Sequence, residues 1–287
     1  MKRFIMRLCQ VVFVLSVIAG SIAGVGALVD HKISAKSASG TTVKEDPQKV
    51  AAAQDAFTSS VTSSVNNYSA DTLDVGVSMI DLDTGTQTNV GETAAFTAAS
   101  TTKVLAGAAY LHQVEQGTLS LNQTIDGQSA QTLLQKMINL SDNNAWHDII
   151  EAVSEDNLQA YAQSIGLSSY QRDTNVITAS DEAKLLQQLY NHKLINTAHT
   201  NLLLSFMQNT SDDDLIPAGL PTGATVYHKY GYLGGELHDA GIIVYNGHRI
   251  ALTIYTKSSD DSLSDYTSRT TLFHQITAAA ITYMKSV

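Results

Sequence analysis

Three short polar clusters interrupt otherwise apolar stretches of this chain: Ser100-Thr101-Thr102-Lys103, Ser141-Asp142-Asn143 and Lys229-Tyr230-Gly231-Tyr232. A serine and a lysine three residues apart share one face of a helix. If Ser100 opens the apolar helix that runs on through Val104 and Leu105, its hydroxyl lies near the positive end of the helix dipole, and a desolvated Lys103 can take its proton. That is the chemistry of an activated nucleophile. Each cluster also has an ordinary structural reading. Serine is a favoured N-cap, Ser141-Asp142-Asn143 is a plausible capping turn between helical runs at 132–139 and 145–153, and Gly231 marks a strand that a second backbone or a ligand approaches closely.

The surrounding pattern says which elements must carry these clusters. Residues 49–68 have helical spacing in Val50, Ala53, Phe57 and Val61. Residues 74–81 alternate, with Val75, Val77 and Met79 on one face and Gly76, Ser78 and Ile80 on the other; Asp83-Thr84-Gly85 turns the chain into a partner strand at 87–90. A helical middle over 101–209 is broken at 117–128, 141–144 and 166–175. Strands return at 225–229, 237–245 and 249–256, the last two joined by Asn246-Gly247, and an amphipathic helix spans 262–285. Strands at both ends of a helical middle predict an α/β (α+β) fold, in which one antiparallel sheet is assembled from distant parts of the chain, flanked by helices and a helical lobe.

In this order, Ser-x-x-Lys, Ser-Asp-Asn and Lys-x-Gly resemble the three signature motifs of the class A β-lactamases and penicillin-binding serine hydrolases, and the likeness runs over residues 72–284. The resemblance implies that Ser100 attacks a carbonyl and becomes acylated, with Lys103 helping to remove its proton. It implies that Ser141 hands a proton to the leaving nitrogen, and that Asn143 bonds the substrate's amide side chain. Lys229 would polarise Ser141 and attract a substrate carboxylate. Tyr230, Gly231 and Tyr232 would line the substrate, and the backbone N–H groups of Ser100 and Tyr232 would form the oxyanion hole, where loss of one donor costs about 3–4 kcal/mol of barrier. No metal or organic cofactor is implied.

Two departures from the family pattern are visible. Tyr230 stands where a Thr or Ser usually follows the lysine, so the small hydroxyl that binds a substrate carboxylate is missing. Residues 166–174 replace a long omega loop and lack the Glu-x-x-Leu-Asn stretch whose glutamate prepares the deacylating water. Arg172-Asp173-Thr174 resembles the end of that loop, with Asp173 at a structural position. General-base help is worth about 10²- to 10⁴-fold, so release of a β-lactam acyl group is expected to be slow.

At the head of the chain Lys2, Arg3 and Arg7 precede a charge-free run over 11–29. It approaches the roughly 20 residues of a membrane helix, while Val25-Gly26-Ala27 resembles a signal-peptidase site, so residues 1–29 read as a signal peptide or a membrane anchor. A polar linker follows at 30–48, and 49–287 form the hydrolase domain, placed outside the cytoplasm and either secreted or anchored. Of 287 residues 44% are hydrophobic, enough for one sizeable core; the net charge of −10 argues against nucleic acid as a partner. The single cysteine, Cys9, provides no disulfide framework, and the nine histidines show no metal-ligand spacing. A monomer is expected. The functional expectation is an acyl-serine hydrolase of D-alanyl peptides or related amides and esters. A β-lactamase working without the omega-loop glutamate and a non-catalytic wall-binding or sensor protein are the alternatives.

Overall fold

The computed structural model describes residues 46–68 and 73–287. The expected signal or anchor at 1–29 and the linker up to residue 45 lie outside the described residues. Helix α1 (Pro47–Asn67) opens with Asp46 accepting the Gln48 N–H and with Pro47 in the first turn, where no backbone donor is needed. It starts two residues ahead of the expected 49, so the linker boundary at 48 moves back. Its buried residues are Val50, Ala53, Phe57 and Val61, the stripe read from the sequence. β1 (Leu73–Asp81) and β2 (Gln87–Gly91) form the expected hairpin.

β3 (Phe96–Thr97) leads into α2 (Lys103–Glu115), and β4 (Thr124–Ile125) with β5 (Gln128–Ser129) makes a small hairpin before α3 (Ala130–Asn139). Next come α4 (Asn143–Val153) and α5 (Glu155–Ser164), divided by Ser154, which has φ 68° and caps both helices. β6 (Val176–Ile177) pairs antiparallel with β3 and is followed by α6 (Ala179–Tyr190) and α7 (Thr197–Phe206). Strands β7 (Thr225–Leu233), β8 (Glu236–Tyr245) and β9 (His248–Ser258) turn at Gly234-Gly235 and Asn246-Gly247, and α8 (Tyr266–Ser286) closes the chain.

β7 extends four residues past the expected end at 229, so Lys229, Tyr230, Gly231 and Tyr232 lie within a strand. The last helix begins at Tyr266 rather than 262, because Asp260 and Asp261 accept the Ser262 and Gly235 backbone N–H groups and hold the preceding residues in a loop.

The main sheet has the order β2-β1-β9-β8-β7. One face, with Ile80, Ala240, Ile242, Ala251 and Tyr255, packs on the helical lobe; the other, with Val75, Val77, Met79, Leu237 and Ile254, packs under α1 and α8. Covering both faces explains why β1 and β8 are buried almost throughout. Each buried Leu, Ile, Val, Phe or Met contributes about 1.5–3 kcal/mol relative to exposure. The architecture is the predicted one, and it leaves β7 at the edge of the sheet.

Candidate active site

Ser100 sits in the turn between β3 and α2 rather than at the helix N-cap, which is Thr102. The turn is tightly wound, with Thr101 N–H donating to Ala98 O at 3.2 Å and Lys103 N–H to Ser100 O at 3.3 Å. Ala99, immediately before the serine, has φ 51°, a strained conformation that persists where the surroundings over-determine it. Asn175 supplies that restraint. Its Nδ2 donates to Ala99 O at 2.9 Å, its Oδ1 accepts from Thr102 Oγ1 at 2.8 Å, and its backbone O accepts from Ala98 N at 2.8 Å.

From the sheet side, Thr101 Oγ1 lies 2.6 Å from the Tyr255 hydroxyl. His238 donates through Nε2 to Thr97 O at 2.9 Å while its Nδ1 accepts from Thr256 N at 3.1 Å, which fixes the orientation of the ring. Glu182 is buried against Tyr255, and burial pushes its carboxyl up to about 8. None of these supports carries a local sequence signal. Asn175 ends the break at 166–175, one residue past the segment read for its missing glutamate.

Ser141 joins α3 to α4 with φ 56°, and Asp142 caps α4 by accepting the Asn144 and Ala145 N–H groups. Two lysines converge on it. Lys103 Nζ donates to Ser141 O at 2.7 Å, to Asn143 Oδ1 at 2.7 Å and, more loosely, to Ser141 Oγ at 3.3 Å. Lys229 Nζ donates to Ser141 Oγ at 3.0 Å and to Tyr230 O at 2.8 Å. The Lys103 side chain thus points to the Ser141 cluster, with its Nζ bonded to Ser141 and Asn143 rather than to the Ser100 hydroxyl. Burial lowers Lys103 to about 8, against the pull of Asp142. Lys229 falls to about 7, through burial and the nearby charge of Lys103, against Asp239 and Asp212. Amines held this close to neutral pH can both accept and return protons.

Gly231 brings β7 onto Ser100: a Cβ there would stand 2.7 Å from Ser100 N, so only glycine leaves that N–H accessible. Tyr232 follows at the open edge. Tyr230, by contrast, is turned to the α1 and α8 side, 6% exposed, with its hydroxyl 2.8 Å from Ser211 Oγ. The Asn143 amide oxygen is taken by Lys103, leaving its NH₂ as the group it can offer a substrate carbonyl. Asp173, read as structural from the resemblance, has a 96% exposed side chain, and its neighbour Arg172 pairs with Glu155 as well. Among the described residues there is no cluster of His, Cys, Asp and Glu suited to a metal ion.

The folded chain is similar to known structures of PBP-A and of β-lactamases. A structure of PBP-A is 24% identical over 80% of this chain and 97% of its own, with a TM-score of 0.72. A β-lactamase from Xanthomonas campestris pv. campestris is 21% identical over 79% of this chain and 97% of its own, with a TM-score of 0.72. An ancestral class A β-lactamase is 22% identical over 78% of this chain and 98% of its own, with a TM-score of 0.71. At these identities the likeness speaks for the fold. A search of curated protein sequences gives no significant match. At the level of sequence, the profile of the beta-lactamase enzyme family matches residues 56–284. With that match spanning most of the chain and the fold agreeing, the chain belongs to the beta-lactamase enzyme family, whose members are β-lactamase-like serine hydrolases.

Proposed function

We propose that this protein is an extracytoplasmic acyl-serine hydrolase acting on D-alanyl peptides of the cell wall or on related amides and esters. Ser100 is its nucleophile, Lys103 and Lys229 are its proton carriers, and Ser141 links the two lysines to the leaving group. The observation that carries the reading is the convergence of both lysine Nζ atoms on Ser141 beside the Ser100 turn. The backbone N–H groups of Ser100 and Tyr232 serve as the oxyanion donors. Lys2, Arg3, Arg7 and the charge-free run after them support export. A variant of PBP-A is described as an acyl-enzyme with penicillin G, and the same covalent step is assigned here to Ser100.

Release of the acyl group is the slow half of the cycle, since residues 166–174 carry no glutamate to prepare water. A β-lactamase activity is the second reading, favoured by the class A structures among the similar folds; steady nitrocefin hydrolysis would support it. The deciding experiment incubates the full chain with an uncharged activated ester and follows the intact mass. A persistent single acyl adduct is expected, absent from Ser100→Ala. An unmodified wild-type protein would overturn the proposal.

A further inference from the structure

His228 stands on β7 one residue before Lys229, and the two side chains leave the strand on opposite faces. Lys229 reaches Ser141 on the lobe side, while His228, 1% exposed, meets Asp239 of β8 on the other. Its ring is held from both ends by acids. Nδ1 lies 2.9 Å from Asp239 Oδ1 and 3.1 Å from Oδ2, and Nε2 lies 3.0 Å from Asp213 Oδ1. A carboxylate only accepts, so a ring that bonds one at each nitrogen carries a proton on both. Thr210 Oγ1 is also 3.1 Å from Nε2, but its own proton goes to Asp212 O or Asp213 Oδ1, each at 3.0 Å. Burial works against a charged ring, yet Asp239 and Asp213 outweigh it and hold the His228 proton affinity above the ordinary value.

The clamp secures a segment that spans both walls of the site. Asp239 Oδ2 also accepts the Ile216 N–H at 3.0 Å, and the His228 N–H donates to Met207 O at 2.8 Å. Between those points Ser211 contacts the Tyr230 hydroxyl, and its N–H donates to Asn139 O at 2.9 Å. Asn139 ends α3 two residues before Ser141, and its Nδ2 donates to the carbonyls of Phe206, Gln208 and Asn209. Residues 206–216 therefore join the strand that carries Lys229 to the turn that carries Ser141.

Charge reaches the lysine as well. Burial and Lys103 lower the proton affinity of Lys229, while Asp239 and Asp212 raise it. Asp212, itself raised by burial and by the charges of Asp214 and Asp239, is lowered by His228. From α8, Tyr266 is raised to about 12 by burial and by Asp212 and Asp214, and His274 Nε2 lies 2.8 Å from Asp214 O. His228 sets a positive charge among these acids, and without it Asp239 acts on Lys229 unopposed.

We propose that His228 is a positioning residue for the site: clamped as an imidazolium between Asp213 and Asp239, it pins residues 206–216 against β7 and offsets the acidic charge that faces Lys229 through the sheet. This rests on Lys229 being a proton carrier of the Ser100 reaction.

Two measurements test it. In the full chain with isotope-labelled histidine rings, NMR is expected to show the His228 ring, assigned through its backbone, protonated on both nitrogens at about pH 8, where an ordinary imidazole has lost one proton. His228→Gln removes the charge. With the uncharged activated ester, the limb of the acylation profile set by Lys229 is expected to move up by about one unit, so that the rate falls about tenfold at about pH 6 and stays within about twofold at about pH 9. Adding Asp239→Asn, which removes the acid facing the lysine, is expected to bring the limb back. A neutral ring, an unmoved limb, a limb that the second substitution does not bring back, or a rate loss of the same size at every pH, with Ser100 still acylated, would overturn this inference and leave the proposed function standing. The ring measurement needs no substitution, so it decides even where His228→Gln fails to fold. No adduct on Ser100 of the wild type would overturn both.

Discussion

In the proposed function, Ser141 is the residue on which the proton chemistry turns. Two amines share its hydroxyl; burial lowers the proton affinity of both, and the charge of Lys103 lowers that of Lys229 further. With Lys229 near 7 and Lys103 near 8, the neutral, proton-accepting forms grow in as pH rises through that window. Acylation by an uncharged ester is therefore expected to speed up between about pH 6 and 9. Lys103→Arg, which keeps the charge and has no accessible neutral form, should lose about 10²- to 10⁴-fold and flatten the profile. Stopped-flow acylation rates across pH check both. A flat wild-type profile would mean that neither lysine is the base.

The turn that carries Ser100 is an element held from three directions: by Asn175 beyond α5, by Tyr255 on β9 and by His238 on β8. Asn175→Ala removes the bonds to Ala99 and Thr102, and the strained Ala99 then relaxes. Acylation kcat is expected to drop about 10- to 100-fold with KM little changed, the mark of lost positioning rather than lost binding. Beneath Tyr255, the buried Glu182 carboxyl has its proton affinity raised from the usual 4.5 to about 8, by burial first. Below about pH 4.5 folded and unfolded chains both hold that proton, so it costs nothing. As pH rises toward 8 only the unfolded chain releases it, and the native state loses stability. Thermal melts of Glu182→Gln are expected to match wild type near pH 4.5 and to lie several degrees higher at pH 8. A constant difference across pH would sink this account.

At the scale of the whole molecule, α1 and α8, from opposite ends of the described chain, pack on the same sheet face, and Phe57 of α1 is 2% exposed there. Phe57→Ala is expected to cost about 3–5 kcal/mol in urea denaturation, because the cavity it leaves closes only in part. What sequence by itself determined is the part written in local chemistry. The stripe Val50, Ala53, Phe57, Val61 makes one helix face, Asp83-Thr84-Gly85 and Asn246-Gly247 turn hairpins, and Ser-x-x-Lys, Ser-Asp-Asn and Lys-x-Gly single out the candidate site. Gly231 reads as a point of close approach, and its missing side chain admits Ser100 N, while the strand itself runs four residues past the expected end at 229. Only the tertiary structure decided that Asn175 clamps Ala99 from 76 residues away, that Tyr255 supports Thr101 from 154, and that Tyr230 is spent on Ser211. It also decided the lysine affinities, since desolvation depends on what surrounds a side chain. Capping, turns and periodicity act within a few residues and leave a trace in the sequence, while burial and long-range hydrogen bonds exist only once the chain has closed on itself.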